Sequence, residues 1–458
     1  MKQITEIAER AGIKEEEIES FGKYKAKVSL GIWERISAKP DGKLILVTTI
    51  NPTIQGEGKT TVAIGLAQAL ARLGKSVMVG LREPSIGPCM GKKGGATGGG
   101  QAQVLPSEDI NLYFTGDIPS IAAAHNLLSA LLNNHIHHGN SLNIEQRRIC
   151  WHRVIDVNDR ALRHIVIGLG GENNGVLQED RFEITSASEV MAIVSLAQNI
   201  KALKEMLSRI IVGYTFDGKP ITATDLKAVG AMALLLRDAI KPNLVQTTEG
   251  IPAFVHCGPF ANIGHGCSSI VSTKFGLKLA DYFVTEAGFG TELGAEKFFD
   301  IVCRMAAFKP NIAVLVVSVK GLKAHGSWAR ELRKEMSGEE LLKAGFPNLA
   351  KHLSNLQLFG VPVVVGINVF PGDRNEEIEM IRKMCANIDV PVAVLDVYGR
   401  GGEGGIKLAL EVLNSLEKGK GSFRYLYNIN SRIKEKIETI ATIMYGARRV
   451  VYTIEAEK

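Results

Sequence analysis

Short runs rich in Val and Ile recur along the chain, separated by stretches in which apolar residues return at helical spacing. The runs Leu44–Ile50, Ser76–Leu81, Ile165–Leu169, Phe283–Thr285, Ile312–Val319, Val361–Val369 and Val392–Tyr398 are apolar at nearly every position. Strands buried on both faces of a parallel sheet have this character. Helices are predicted between them, at Val62–Leu73, Ile121–Asn133, Ala187–Leu207, Pro347–Leu356 and Ile406–Leu416. Pro347 suits a first helical position, where its missing N–H costs nothing. The alternation predicts an α/β doubly wound fold with a mostly parallel sheet, whose ligands sit at the C-terminal ends of strands. No internal repeat or low-complexity linker interrupts it. A weakly marked boundary near residue 350 suggests a larger domain, 1–350, and a smaller α/β domain, 351–458.

Composition narrows the function classes. The chain has 458 residues, 45% hydrophobic and 22% charged, enough for two or three domains with sizeable cores. The formal charge of +6 is interspersed and forms no basic stripe, which argues against nucleic acid and suits anionic substrates. Six scattered cysteines include no Cys-x-x-Cys pair, so neither structural zinc nor a redox dithiol is expected. The N-terminal segment Ile4–Ile18 is charged and amphipathic, without the apolar core of a signal peptide. No apolar run reaches bilayer length. A reduced, cytoplasmic protein without a membrane partner is expected.

The chemistry concentrates in residues 53–61. An apolar strand runs into Gly56-Glu57-Gly58-Lys59-Thr60-Thr61, and a helical pattern follows. That is the layout of a phosphate-binding loop, in which backbone N–H groups of a glycine turn and a helix N-terminus converge on an anion. Lys59 can reach β- and γ-phosphates, and the Thr60 hydroxyl can ligate Mg²⁺. Thr53 occupies the position of the usual first glycine.

Arg82 and Glu83 follow the second strand, where an arginine can hold a carboxylate or phosphate through two hydrogen bonds. Seven glycines lie between Gly87 and Gly100, around Lys92 and Lys93. Such a segment allows close backbone approach to a ligand. Asp109 and Asp117 are candidates for metal or substrate contacts. The histidines of Asn133-Asn134-His135-Ile136-His137-His138 lack a regularly spaced carboxylate, so a metal site is not expected there. Gly399-Arg400-Gly401-Gly402-Glu403-Gly404 fits a dinucleotide fingerprint, but no second strand with an acidic residue follows. It is read as a close-packing turn.

Taken together, several segments resemble the formate–tetrahydrofolate ligase family. They are Gly-Glu-Gly-Lys-Thr-Thr (56–61), Leu-Arg-Glu-Pro-Ser (81–85), the glycine-rich 93–100, Glu-Asp-Ile-Asn-Leu (108–112) and Asn-Asp-Arg-Ala-Leu-Arg (158–163). Ala-Ser-Glu-Val-Met-Ala-Ile (187–193), Gly-Pro-Phe-Ala-Asn-Ile (258–263), Thr-Glu-Ala-Gly-Phe-Gly (285–290), Leu-Gly-Ala-Glu-Lys-Phe-Phe-Asp (293–300) and Gly-Gly-Glu-Gly-Gly (401–405) continue it in order. The resemblance implies that ATP phosphorylates formate to formyl phosphate, which tetrahydrofolate N10 then attacks. It implies ATP and Mg²⁺, with a monovalent cation and a homo-oligomer also in view. Gly56, Glu57, Gly58, Lys59, Thr60 and Thr61 would hold the phosphates, with Thr60 on Mg²⁺. Arg82, Lys59 and Glu83 would be catalytic, Arg82 clamping formate. Phe370, Pro371, Tyr398, Phe289 and Asp117 would bind folate, Phe370 and Tyr398 stacking on the pterin. In domain terms, 1–350 would carry the nucleotide and formate sites and 351–458 part of the folate site.

The chain departs from the family pattern at Gln101 (usually Tyr), Tyr113 and Pro119 (usually His), Asn133 (usually Asp) and Tyr398 (usually Trp). The family's further C-terminal domain has no counterpart after Tyr445-Gly446-Ala447, so a shortened member is expected. Two alternatives stay open: a paralogue using another small carboxylate or acceptor, and a non-catalytic nucleotide- or folate-binding protein.

Overall fold

A computed structural model describes residues 1–54, 56–91, 95–328, 336–419 and 421–457. Lys92 and Lys93 of the glycine-rich segment lie outside them. The chain forms two compact units. One comprises Met1–Gly42, Met78–Gly98 and Gln103–Ala280, the other Lys43–Val77, Gly99–Ala102 and Asp281–Lys458. Residue 350, where the sequence suggests a boundary, lies inside the continuous helix Gly338–Leu358.

The second unit carries a five-stranded, wholly parallel sheet in the order Tyr282–Glu286, Lys43–Thr49, Ile312–Val317, Val363–Asn368, Val392–Leu395. The strands are buried almost throughout, as their unbroken apolar runs predict. Lys59–Arg72, Val397–Gly404 and Ile406–Glu417 pack with one another as one helical layer. Val319–Trp328, Gly338–Leu358 and Asn375–Ala386 form another. The expected α/β fold with a mostly parallel sheet holds.

Several expected elements change. Pro347 lies in the interior of its helix, not at its start. The start is set by a capping box, in which Ser337 accepts from the Glu340 N–H and Glu340 accepts from the Ser337 N–H. Ala187–Leu207 is two helices, Glu189–Leu196 and Ile200–Leu207, because Ser188 and Asn199 each cap a new start. Ile165–Ile167 pairs antiparallel with Gln178–Asp180 in a separate two-stranded sheet. The last strand of the parallel sheet ends at Leu395. Asp396 accepts from the Gly399 N–H at 3.0 Å and starts the helix Val397–Gly404, so Tyr398 is helical and not a strand end.

In the first unit, Ile18–Ser20, Ala26–Val28, Asn243–Thr247 and Pro252–Val255 pair antiparallel in that order. Pro252–Val255 runs parallel to Val77–Leu81. None of these four is among the predicted strands; in the last two, Asn243, Gln246, Thr247 and Pro252 break the apolar pattern. Four helices, Asp117–His137, Glu189–Leu196, Ile200–Leu207 and Val229–Leu235, bury their apolar faces in one core with Ile121, Leu128, Val194, Leu203 and Met232.

In the second unit, Glu296 is 4% exposed. Burial, then the nearby Asp300 charge, pushes its carboxyl up to about 8. The folded chain therefore holds a proton that the unfolded chain releases near 4.5, so this group's contribution to stability falls as pH rises from about 4.5 to 8. Glu296→Gln should flatten that pH dependence, as measured by urea unfolding at pH 6 and pH 8.5.

Candidate functional site

The chain leaves the strand Lys43–Thr49 and re-enters regular structure at Lys59. Gly56 and Gly58 have φ of 75° and 73°, a left-handed backbone that glycine adopts without strain. Gly58 is the N-cap, so the N–H groups of Lys59, Thr60 and Thr61 open the helix, where no intrahelical acceptor exists. A helix start of this kind attracts anions.

The loop is pinned from within. Glu57 is 4% exposed. Its Oε1 accepts from Thr53 Oγ1 at 2.9 Å and its Oε2 from Ser318 Oγ, while Asn368 Nδ2 donates to its carbonyl at 3.1 Å. Glu57 therefore serves the loop's shape with its side chain. Thr53, in the usual glycine position, is accounted for by the same bond. A Cβ on Gly58 would lie 2.4 Å from Asn368 Nδ2 and 3.8 Å from the Phe370 ring, so the loop closes against the end of Val363–Asn368.

Thr60 Oγ1 donates to Glu286 Oε2 at 2.8 Å. Glu286 is 3% exposed and ends the strand beside the loop strand, opposite Val47. Two hard oxygen donors side by side at a phosphate loop suit Mg²⁺. Glu286 lies in Thr-Glu-Ala-Gly-Phe-Gly (285–290) but is not among the expected site residues. The signal was an acid at a strand's C-terminal end. Its value depends on strand adjacency, which the sequence does not display.

The two aromatics expected to stack follow neighbouring parallel strands. The Phe370 N–H donates to Asp373 Oδ2 at 2.8 Å, and the Lys320 ammonium lies 5.7 Å from its ring. Pro371 is exposed. Tyr398 is 59% exposed, and its carbonyl accepts from the Gln101 N–H at 2.9 Å. Gly100 has φ 59°, and a Cβ there would lie 2.1 Å from that carbonyl; one on Gly99 would lie 3.1 Å from the Tyr398 ring. These two glycines are thus explained by Tyr398. Phe289 stands in the left-handed region at φ 60°, a strained backbone for a bulky residue.

In the first unit, Arg82 and Glu83 follow the strand Val77–Leu81 as expected. Arg82 is half-buried. Glu83 is 2% exposed, and neither carboxyl oxygen has a hydrogen-bond partner among the described residues. Burial, reinforced by Asp117 and Asp156 and opposed by Lys27, raises its pKa well above the carboxylate range. The buried hydroxyls of Thr185 and Ser186 are likewise without a partner. A Cβ on Gly258 would lie 2.2 Å from the Glu83 backbone carbonyl and 3.9 Å from Ser186 Oγ, so Gly258 packs between the Glu83 backbone and Ser186. Ser85 Oγ and the Ile86 N–H both donate to Asp156, at 2.6 and 2.8 Å.

A family model for formate–tetrahydrofolate ligase matches residues 1–458. The chain belongs to that family. It is thereby an enzyme of one-carbon metabolism, a ligase joining formate to tetrahydrofolate at the expense of ATP.

Within this ligase the remaining candidates fall into place. Asp117 is 1% exposed and ion-paired to Lys27, also 1% exposed, at 2.6 Å. Asn243 joins them, donating to Asp117 at 2.7 Å and accepting from Lys27 at 3.0 Å. The expected folate contact is thus a carboxylate already held by the protein. Asp109 accepts from Lys25 at 2.7 Å. Tyr113 has φ 58° and is 40% exposed, and Pro119 fits the first turn of Asp117–His137. Asn133 accepts from Gln178 at 2.8 Å. His135 accepts from the Leu142 N–H at 3.0 Å, a helix-end role. Among the described residues no group of three or more His, Cys, Asp or Glu is arranged to hold a metal, all six cysteines are free, and no helix is long and apolar enough to cross a membrane.

Removing one member of a buried ion pair leaves the other charge uncompensated. Asp117→Ala should destabilise the protein by about 3–5 kcal/mol in urea unfolding. The double change Lys27→Met with Asp117→Leu should recover most of that loss.

Proposed function

We propose that the enzyme works through formyl phosphate, with the 53–61 loop as its ATP site. The observation carrying this reading is the intact loop with Thr60 and Glu286 side by side. A formate oxygen attacks the γ-phosphorus, the bond from that phosphorus to the β–γ bridging oxygen breaks, and ADP leaves. Tetrahydrofolate N10 then attacks the formyl carbon. Phosphate departs as the C–O bond breaks, and N10 gives up a proton.

Each residue has a part in this scheme. The N–H groups of residues 56–61 and the Lys59 ammonium stabilise charge on the transferring phosphoryl group, which is most of what such catalysis requires. Thr60 and Glu286 would hold Mg²⁺, which would supply charge neutralisation for the phosphates. Arg82 clamps formate and then formyl phosphate. Phe370 and Tyr398 hold the pterin, and Phe289 contacts the acceptor. The Glu83 carboxyl and the Thr185 and Ser186 hydroxyls, buried without a hydrogen-bond partner among the described residues, are the oxygens we propose for a monovalent cation.

The test is ATP consumption by purified protein with formate, with and without tetrahydrofolate, following the formyl product by its acid conversion to the methenyl form. Folate-dependent product supports the proposal. ATP binding without product with formate would favour another carboxylate or acceptor. Arg82→Ala should keep ATP affinity while losing formate-dependent turnover by roughly 10³-fold or more; retained turnover would refute the clamp. Glu286→Gln should weaken Mg²⁺-dependent ATP binding by roughly 10- to 100-fold in calorimetry, with metal-free ATP binding little changed.

A further inference from the structure

Asn51 follows the loop strand and opens the phosphate loop, and side chains from elsewhere in the same unit engage each of its polar groups. Its N–H donates to His352 Nε2 at 2.9 Å, and its carbonyl accepts from His325 Nε2 at 2.9 Å. Its Nδ2 donates to Glu292 Oε1 at 2.8 Å, and its Oδ1 accepts from Asn348 Nδ2 at 2.7 Å. Asn348 and His352 lie one turn apart on the helix Gly338–Leu358.

The hydrogen-bond roles fix the tautomer of His352. A backbone N–H can only donate, so Nε2 accepts from Asn51, its 3.1 Å approach to Asn51 Oδ1 is not a hydrogen bond, and the ring proton sits on Nδ1 and donates to Thr291 Oγ1 at 2.6 Å. The ring is 2% exposed. Burial, then the charges of His325 and Lys351, brings its pKa down to about 3, in keeping with a neutral imidazole. Thr291 and Glu292 come directly after Gly290 and the strained Phe289. A Cβ on Gly290 would lie 2.3 Å from Glu292 Oε2 and 3.0 Å from His352 Cε1, so the turn is packed tightly on the same ring. One imidazole thus touches the roots of two loops, one leading to the phosphate-binding N–H groups and the other to Phe289.

We infer that His352 is a positioning residue shared by the nucleotide and acceptor sites: Nε2 sets the entry of the phosphate loop through Asn51, and Nδ1 sets the Phe289 turn through Thr291. The inference rests on the reading of 56–61 as the ATP loop and of Phe289 as an acceptor contact. A ring that only filled space would, on removal, lower stability and leave the two affinities in their original ratio.

The experiment uses the full chain with His352→Ala, His352→Gln and Thr291→Val. It measures the MgATP dissociation constant, the KM for tetrahydrofolate, kcat and the urea midpoint. Loss of one such hydrogen bond is worth about 2- to 10-fold in affinity. His352→Ala should weaken both constants by about that factor. In His352→Gln the side-chain carbonyl can accept from the Asn51 N–H, so MgATP affinity should return while the KM for tetrahydrofolate stays raised. Thr291→Val should leave MgATP binding unchanged and raise the KM for tetrahydrofolate. Wild-type constants in all variants, or equal changes in both constants for His352→Gln and Thr291→Val, would overturn the inference. A wild-type protein that binds neither MgATP nor tripolyphosphate would instead overturn the phosphate-loop reading beneath it.

Discussion

An anion brought to the end of a strand is stabilised only by donors that are already in place when it arrives. The phosphate loop meets that constraint through the polar groups of Asn51, Thr53 and Glu57, which are occupied by other parts of the protein. Glu57 ties Thr53 to Ser318, Asn368 takes the Glu57 carbonyl, and Asn51 is held by His352, His325, Glu292 and Asn348. With those bonds made, the helix start is held in place, and its first N–H groups have no intrahelical acceptor. Preorganisation of this kind lowers the reorganisation cost at the moment charge moves, which is where much of enzymatic stabilisation lies.

The first unit handles charge differently. Lys27 and Asp117 neutralise each other in its interior with Asn243 satisfying both, while burial and the neighbouring acids raise the pKa of Glu83. Paired and unpaired carboxyls so close together act on one another: the Asp117 and Asp156 charges favour the proton on Glu83, while Lys27 opposes it. A cation reaching Glu83 would reverse that preference, since an opposite charge favours the ionised form.

Strands of the parallel sheet were legible because burial on both faces leaves an apolar run with no polar interruption. Asn243–Thr247 was not, since its polar residues are satisfied by partners far away in the chain, such as Lys27, Asp117 and Lys2. Helix starts are hidden where a single cap decides them, as at Asn199, Ser337 and Asp396. The phosphate loop was readable because its chemistry is local: glycine, lysine and hydroxyls within a few residues. Glu286, His352 and His325 act on the same loop from other elements, and no spacing rule connects them to it. The glycines at 99 and 100 read as a place for a ligand, yet their nearest neighbour is Tyr398; composition conveys close approach but not what approaches.

The most direct test of the account is a crystal structure of the protein with Mg²⁺ and a non-hydrolysable ATP analogue. The account predicts β- and γ-phosphates on the N–H groups of residues 56–61, with the metal between Thr60 and Glu286. A triphosphate bound elsewhere, or at the loop with Thr60 and Glu286 still bonded to each other and no metal between them, would contradict it.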